Sequence, residues 1–384
     1  MQHFDAIVAG VGGVGSAALF HLAARGARVL GLDRFPIAHD RGSSHGQTRL
    51  IRQAYFEHPH YVPLLRRAYT LWNELEGRTG EKLYHESGLL QLGSPQGEVL
   101  SGVRASALAH DLPIEELSAG EVANRYPGFS VPEGFEAIFE RRAGYLMVEQ
   151  CVAAHAAEAV KLGAVLQTGE TILAWRPEGA GAAGTGVFVE TDRGQYAADR
   201  LILTAGPWAG DLLSGLGIPL EVRRKPLFWF QTRDATYDAA RGCPGFVYDL
   251  PHGFFYGMPR IDGLGIKVAE HTGGRVVADP LAVDRTLDVT EESRVADFVS
   301  KHLPAATGEC TEHVVCMYTM TRDSHFIVDR HPEFSQVAFA AGLSGHGFKF
   351  AGVLGEALAQ LALDGASSLP IAFLSARRPG LIAG

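Results

Sequence analysis

Gly10-Val11-Gly12-Gly13-Val14-Gly15 is the stretch on which the reading of the fold turns. It fits G-x-G-x-x-G, follows the apolar run Asp5 to Ala9 and opens an amphipathic segment, Val14 to Ala24. A second apolar run, Arg28 to Leu32, leads to Asp33, which completes a βαβ unit with a dinucleotide fingerprint. Each part has a physical use. Gly12 lets the backbone approach a pyrophosphate, the helix start offers free N–H groups and partial positive charge, and Asp33 can bind an adenosine ribose hydroxyl. Gly10, Gly12, Gly15 and Asp33 are therefore candidate cofactor residues, and the motif alone does not separate FAD from NAD.

Further along, Val62, Leu65, Tyr69, Trp72 and Leu75 recur at helical steps after Pro59, and a second helix is expected over Glu149 to Leu162. Short strands are expected at Ala164 to Gln167, Val187 to Glu190 and Arg200 to Thr204, with Gly179 to Gly186 as a hairpin loop. Aromatic and β-branched clusters between Pro226 and Lys267 predict a mostly antiparallel sheet. Strands Phe326 to Val328 and Val337 to Ala341 then lead into Gly342-Leu343-Ser344-Gly345-His346-Gly347 and a helix through Leu363, so the nucleotide-type pattern returns. The simplest arrangement is a Rossmann-like α/β nucleotide-binding domain, built from separated segments, interleaved with a mostly antiparallel sheet domain. The expected division is 1–85, 145–220 and 318–384 for the first, and 86–144 and 221–317 for the second.

The 384 residues are 46% hydrophobic and 20% charged, a composition that excludes disorder and fibrous repeats. The net charge of −9, with no run of like charges, argues against nucleic acid or an anionic membrane as partner. The longest uncharged stretch, Ala6 to Ala24, is interrupted by glycines, Ser16 and His21 and reads as turn and helix, not as a span. Met1 to Asp5 lacks the basic start of a signal peptide and Leu381 to Gly384 carries no retention or peroxisomal signal, so a cytoplasmic location is expected. Cys151, Cys243, Cys310 and Cys316 form no CxxC pair and suggest neither a disulfide framework nor a metal site.

The segment Arg41 to Arg52 is dense in polar groups, and Arg49 and Arg52 would share a face if it were helical. Their forked donors suit a carboxylate or phosphate. With GSSHGQTRLIRQAY (Gly42 to Tyr55), FFYGMP (Phe254 to Pro259), CMYTMT (Cys316 to Thr321), HFIVD (His325 to Asp329) and GLSGHGFKF (Gly342 to Phe350), the chain resembles the monomeric sarcosine oxidase and N-methyl-amino-acid oxidase family. These motifs lie in order and span nearly the whole chain.

The resemblance implies a D-amino-acid-oxidase-like fold and FAD joined by a thioether to Cys316, within Val315-Cys316-Met317-Tyr318. It implies Lys267 over the flavin face, where a cation favours electron transfer to O2, with Arg49 and His45 nearby. Arg52 and Lys349 match the pair that holds the substrate carboxylate. Tyr256, His271 and Tyr318 match polar residues of the substrate pocket, and Thr48 joins the cofactor-binding set. Backbone N–H groups at Gly345-His346-Gly347, taken as a helix start, could stabilise negative charge on the reduced flavin. Thr204-Ala205-Gly206-Pro207-Trp208 looks like the turn where a later nucleotide-binding strand meets FAD.

The implied function is FAD-dependent oxidative demethylation of sarcosine or a similar N-methyl amino acid, giving the amino acid, formaldehyde and hydrogen peroxide. A monomer acting on a small secondary amino acid and O2, with no nucleic acid, membrane or metal, is expected. Where bacterial sarcosine oxidases tend to read HHGDTR and AYGE, this chain has Ser44-His45-Gly46-Gln47-Thr48-Arg49 and Ala54-Tyr55-Phe56-Glu57, and SSHGQ also looks like the pipecolate-oxidising branch. Side chains beside the amine set substrate identity, with Val247 and Phe56 as candidates. The alternatives are an oxidase of N-methyltryptophan, L-pipecolate or another cyclic amino acid, an NAD-dependent dehydrogenase, and a non-catalytic flavin-binding protein.

Overall fold

The computed structural model describes residues 2–179 and 186–381. The opening unit folds as the glycine pattern requires. Strand His3–Ala9 passes through the loop into helix Gly13–Ala24, then strand Val29–Asp33 pairs parallel to the first. Ala6 and Val8 face the helical side of this sheet, while Ile7 and Ala9 join the core on the opposite side. Strand Val165–Thr168 extends one edge, in parallel.

On the other side, Gln195–Leu203 runs parallel to the first strand, and its far edge is shared. Val187–Thr191 pairs antiparallel along 195–198, and Val337–Ala341 pairs parallel along 201–203. Ile172–Pro177 and Ile327–Arg330 finish the two branches. The run expected as a hairpin loop, Gly179 to Gly186, lies outside the described residues over 180–185.

Helix Val62–Thr79 buries Val62, Leu65, Tyr69, Trp72 and Leu75 as their spacing predicts, and Gly80 at φ +74° ends it in the left-handed conformation. Helix Val148–Lys161 corresponds to the expected Glu149 to Leu162. The last helix, Ala351–Asp364, packs on the first so closely that a Cβ at Gly355 would lie 2.6 Å from Ala17 backbone and side-chain atoms. Gly355→Ala is expected to destabilise by about 1–3 kcal/mol through overpacking. Thermal unfolding checks this, and an unchanged Tm would contradict the close packing.

A second sheet has eight strands in the order Ala306–Met320, Glu221–Thr232, Ile266–Glu270, Gly253–Met258, Gly245–Leu250, Leu89–Gly93, Glu136–Glu140, Glu115–Leu117. Neighbours are antiparallel except Gly245–Leu250 on Leu89–Gly93, which run parallel. The aromatic clusters divide between its faces as strand alternation demands. Phe228, Phe230 and Phe255 pack toward helix Val289–His302, where Phe255 stacks on Phe298 at 4.5 Å, while Trp229 and Tyr256 face Cys316 and Leu50. A small third sheet, Thr48–Ile51, Gly144–Met147 and Tyr84–Glu86, links the two. The segment imagined as helical around Arg49 is therefore a strand followed by a turn. None of the described helices is long and apolar enough to cross a membrane.

Candidate active site

The glycine loop borders a cavity of about 380 Å³ lined by Gly10, Gly12, Gly13, Asp33, Ser43, Ser44, Thr204–Trp208, Met317–Thr319 and Gly342–Gly345. Gly10 adopts φ +92°, and a Cβ there would lie 2.6 Å from the Thr204 carbonyl. At Gly12 a Cβ would meet only Ser44 Oγ at 3.9 Å, so this backbone presents open space to a ligand. Gly15 serves the packing of the loop itself, since a Cβ there would overlap the Gly10 carbonyl at 1.8 Å, and it borders no cavity. Asp33 accepts the Val11 N–H at 2.7 Å and the Phe35 N–H at 2.9 Å, which ties the loop to the second strand, and burial raises its pKa. Cradle, carboxylate and the size of the cavity together fit a dinucleotide.

A second cavity of about 50 Å³ adjoins the first, sharing Arg49, Tyr318, Gly345 and Phe348. The remaining liners include Arg52, Glu57, Phe56, Val247, Phe254, Tyr256, His271, His346 and Lys349. Three basic side chains against one carboxylate make this space attractive to an anion. Arg52 gives Nη2 to both Glu57 oxygens, at 2.8 and 2.9 Å, and lies over the Tyr55 ring at 4.6 Å. Lys349 donates from Nζ to the His346 carbonyl at 2.7 Å, and burial together with Arg52 holds its pKa well below the usual lysine range.

Tyr318 links the pocket wall: its hydroxyl lies 3.3 Å from His271 Nδ1 and 3.5 Å from the Tyr256 hydroxyl. Burial, reinforced by Lys225, lowers the His271 pKa to about 3, so the imidazole is neutral at pH 7, while burial keeps both phenols protonated. His346 is likewise neutral: Nε2 donates to the Ser324 carbonyl at 2.9 Å and Nδ1 faces the Tyr55 hydroxyl. A 3-10 turn, Phe348–Phe350, separates Gly345-His346-Gly347 from the last helix, and the His346 N–H bonds to the Leu343 carbonyl at 3.1 Å. The expected helix start at this loop is thus displaced to Ala351.

Other sequence candidates stand behind the cavity walls. Lys267, 2% exposed, lines neither of the two cavities, and its Nζ donates to the carbonyls of Gly46 at 2.8 Å and Thr48 at 2.6 Å. Burial, then Arg49, pushes its pKa well down. Thr48 borders neither cavity and contributes that carbonyl. His45 also borders neither, and burial with Arg49 brings its pKa to about 3. Cys316, 1% exposed, sits just beneath the large cavity, with Sγ 3.2 Å from Arg49 Nη2 and 3.4 Å from the Ser43 carbonyl.

Sequence reasoning passed over three residues. Glu149 accepts the Gly46 N–H at 2.6 Å and the Gln47 N–H at 3.1 Å, which fixes the loop before Arg49. Glu57 holds Arg52, and no local signal marks it. Lys225 ends the charged run Glu221 to Lys225 and nothing in its neighbours marks it for a site. Its Nζ donates to the carbonyls of His271 and Thr272, both at 2.7 Å, and lies 5.1 Å from the Tyr318 ring centre, with a pKa lowered to about 8 by burial.

Comparison with known proteins agrees with this architecture. Monomeric sarcosine oxidase from Bacillus sp. (strain B-0618) is 41% identical over 385 residues, covering 99% of this chain and 97% of that protein. The monomeric sarcosine oxidase of Streptomyces avermitilis is 42% identical, covering 98% and 97%. N-methyl-L-tryptophan oxidase from Yersinia pestis (strain Pestoides F) is 36% identical, covering 98% and 99%. Among solved structures, NikD, an unusual amino acid oxidase essential for nikkomycin biosynthesis, superposes with a TM-score of 0.84 at 25% identity over 98% of each chain. The pattern of the FAD dependent oxidoreductase (DAO) family matches residues 5–361, and the chain belongs to that family.

Proposed function

We propose that the protein oxidises the N-methyl group of sarcosine or a similarly compact N-methyl amino acid, releasing the amino acid, formaldehyde and hydrogen peroxide. The observation that carries this reading is the convergence of Arg49, Arg52 and Lys349 on a cavity of about 50 Å³ that opens into the dinucleotide cavity. The names of the relatives support it. When bound, FAD supplies the two-electron acceptor and passes the electrons to O2.

Arg52 and Lys349 hold the substrate carboxylate, which fixes where the amine and its methyl group point. The positive wall favours the neutral form of the amine, so the substrate binds with its amine proton left to solvent and presents a lone pair. Neutral His271 and protonated Tyr318 and Tyr256 keep one hydrogen-bond pattern at pH 7, a fixed frame beside the amine. Lys267 braces Gly46 and Thr48 from behind, and Arg49 beside it supplies the positive charge for the oxygen step. His45, neutral and enclosed, acts by packing. Gly10, Gly12, Asp33 and Gly345–Gly347 form the cofactor cradle, Gly15 and Thr48 shape it from behind, and Cys316 attaches the flavin through a thioether. In this reading segments 1–85, 145–220 and 318–384 hold the cofactor and 86–144 and 221–317 cover the substrate, in a monomeric protein.

Anaerobic mixing of the purified flavoprotein with sarcosine tests the reading directly. Rapid bleaching of the flavin absorbance is expected, faster than with L-pipecolate or N-methyl-L-tryptophan. A flavin that no N-methyl amino acid bleaches would overturn the proposal.

A further inference from the structure

In the small cavity Arg52, Val247, Tyr256, Tyr318, His346 and Lys349 are buried, while Arg49, Glu57, His271, Phe348 and two neighbouring rings, Phe56 and Phe254, are half-buried. Their centres are 5.6 Å apart with a tilt of 40°. The rings reach the cavity from different parts of the fold: Phe56 from the turn after strand Thr48–Ile51, and Phe254 from strand Gly253–Met258 of the large antiparallel sheet.

Both rings are held in place. The Phe56 backbone lies directly on helix Glu98–His110, where a Cβ at Gly102 would come within 2.3 Å of the Phe56 carbonyl. On the same helix Ser106 donates to the Tyr55 carbonyl, and the Arg52 guanidinium covers the Phe56 ring at 5.0 Å. Phe254 is fixed by its strand, by a bond from its N–H to Thr272 Oγ1 at 3.1 Å, and by the edge contact of its ring with His271 at 5.2 Å. The cavity volume of about 50 Å³ suits a short substrate. An aryl side chain would add a whole ring to the substrate, which a cavity of this size does not accommodate while Phe56 and Phe254 stay where they are.

We infer that Phe56 and Phe254 form a fixed aromatic cover that limits substrate size, admitting unbranched N-methyl amino acids and excluding those with an aryl side chain. The inference rests on the carboxylate-binding reading of this cavity. Its energy source is steric: a side chain that fits is separated from one that does not by packing alone, a discrimination of roughly ten- to two-hundredfold per misfit group.

The test uses the flavin-loaded protein and its Phe56→Ala and Phe254→Ala variants, with two readouts. One is the anaerobic bleaching rate with sarcosine and with N-methyl-L-tryptophan. The other needs no turnover: the affinities of acetate and indole-3-acetate, followed through the flavin spectrum. In the native protein the small member of each pair is expected to be favoured. Each variant is expected to shift both ratios toward the indole compound by at least about tenfold. Unchanged ratios in variants that carry a full complement of flavin would overturn the cover. If the carboxylate ratio shifts as expected while sarcosine fails to bleach the native flavin, the cover stands and the oxidase reading falls. Sarcosine bleaching with unshifted ratios has the opposite meaning. Phe254→Leu, which keeps an apolar side chain in the strand, serves as the readout if an alanine variant does not fold.

Discussion

Lys349→Met should reduce kcat/KM for the amino acid by roughly 10- to 150-fold, the equivalent of about 1.5–3 kcal/mol for a hydrogen bond to a charged group. The loss should fall mainly on KM, because the contact is made to a carboxylate that does not react. A second effect identifies the residue more sharply. In the empty pocket, burial and Arg52 keep the Lys349 pKa well below its ordinary value. An arriving carboxylate favours the ammonium form and raises that pKa, so binding draws in a proton wherever the pH exceeds the empty-state value. Affinity is complete below that pKa and weakens as the pH rises through it, by about tenfold per unit. The slope persists until the pH reaches the higher pKa of the occupied pocket. In Lys349→Met this slope should vanish. Acetate titrations of the flavin-loaded protein across pH, with proton uptake measured in buffers of different ionisation heat, check the point. A slope that survives the substitution would remove Lys349 from the carboxylate site.

Cys316→Ser should convert a flavin that stays with acid-precipitated protein into one that is released completely. Among the four cysteines, Cys316 is the one with a guanidinium at hydrogen-bond distance from sulfur, Arg49 Nη2 at 3.2 Å. It also contacts Ser43, which lines the large cavity. Thioether formation uses the sulfur as a nucleophile, and the Arg49 donor fixes where it points. Burial pushes the thiols of Cys151 and Cys243 well up, and that of Cys310 up as well, which keeps them protonated. Colour retained in the acid pellet of Cys316→Ser would place the attachment elsewhere.

The parts of this molecule that were legible in the sequence are those whose signal is local. The glycine loop, Asp33 and the stripe of Val62, Leu65, Tyr69, Trp72 and Leu75 each declare their structure within a few residues. Arg49 and Arg52 were legible as a pair of charges but not in their conformation. A strand and turn carry both to one cavity without the shared helical face that their spacing suggested. The short strands Glu115–Leu117 and Glu136–Glu140 are acidic and show little alternation, and helix Val289–His302 opens on charged residues, so none was foreseen. The parallel pairing of Leu89–Gly93 with Gly245–Leu250 joins segments about 150 residues apart, beyond any local pattern. Lys267 stands in an apolar strand and Lys225 at the end of the charged run Glu221 to Lys225, and only the fold shows that the first supports the Gly46–Thr48 turn and the second the start of the His271 turn.

The shared edge of strand Gln195–Leu203 bears on how the chain comes together during synthesis. Half of that edge waits for Val337–Ala341, and the first helix waits for Ala351–Asp364 to lie across Ala17 and Ala18. A nascent chain that has already emitted its glycine loop thus carries an uncovered helix face and an open strand edge until Val337–Ala341 and Ala351–Asp364 have left the ribosome. Folding in order from the N-terminus, the usual course for successive domains, is closed to this topology. The high separation of its pairing segments predisposes it to slow, post-translational closure. Because Gly345 and Lys349 arrive with the same final stretch, both pockets are finished in the step that seals the core.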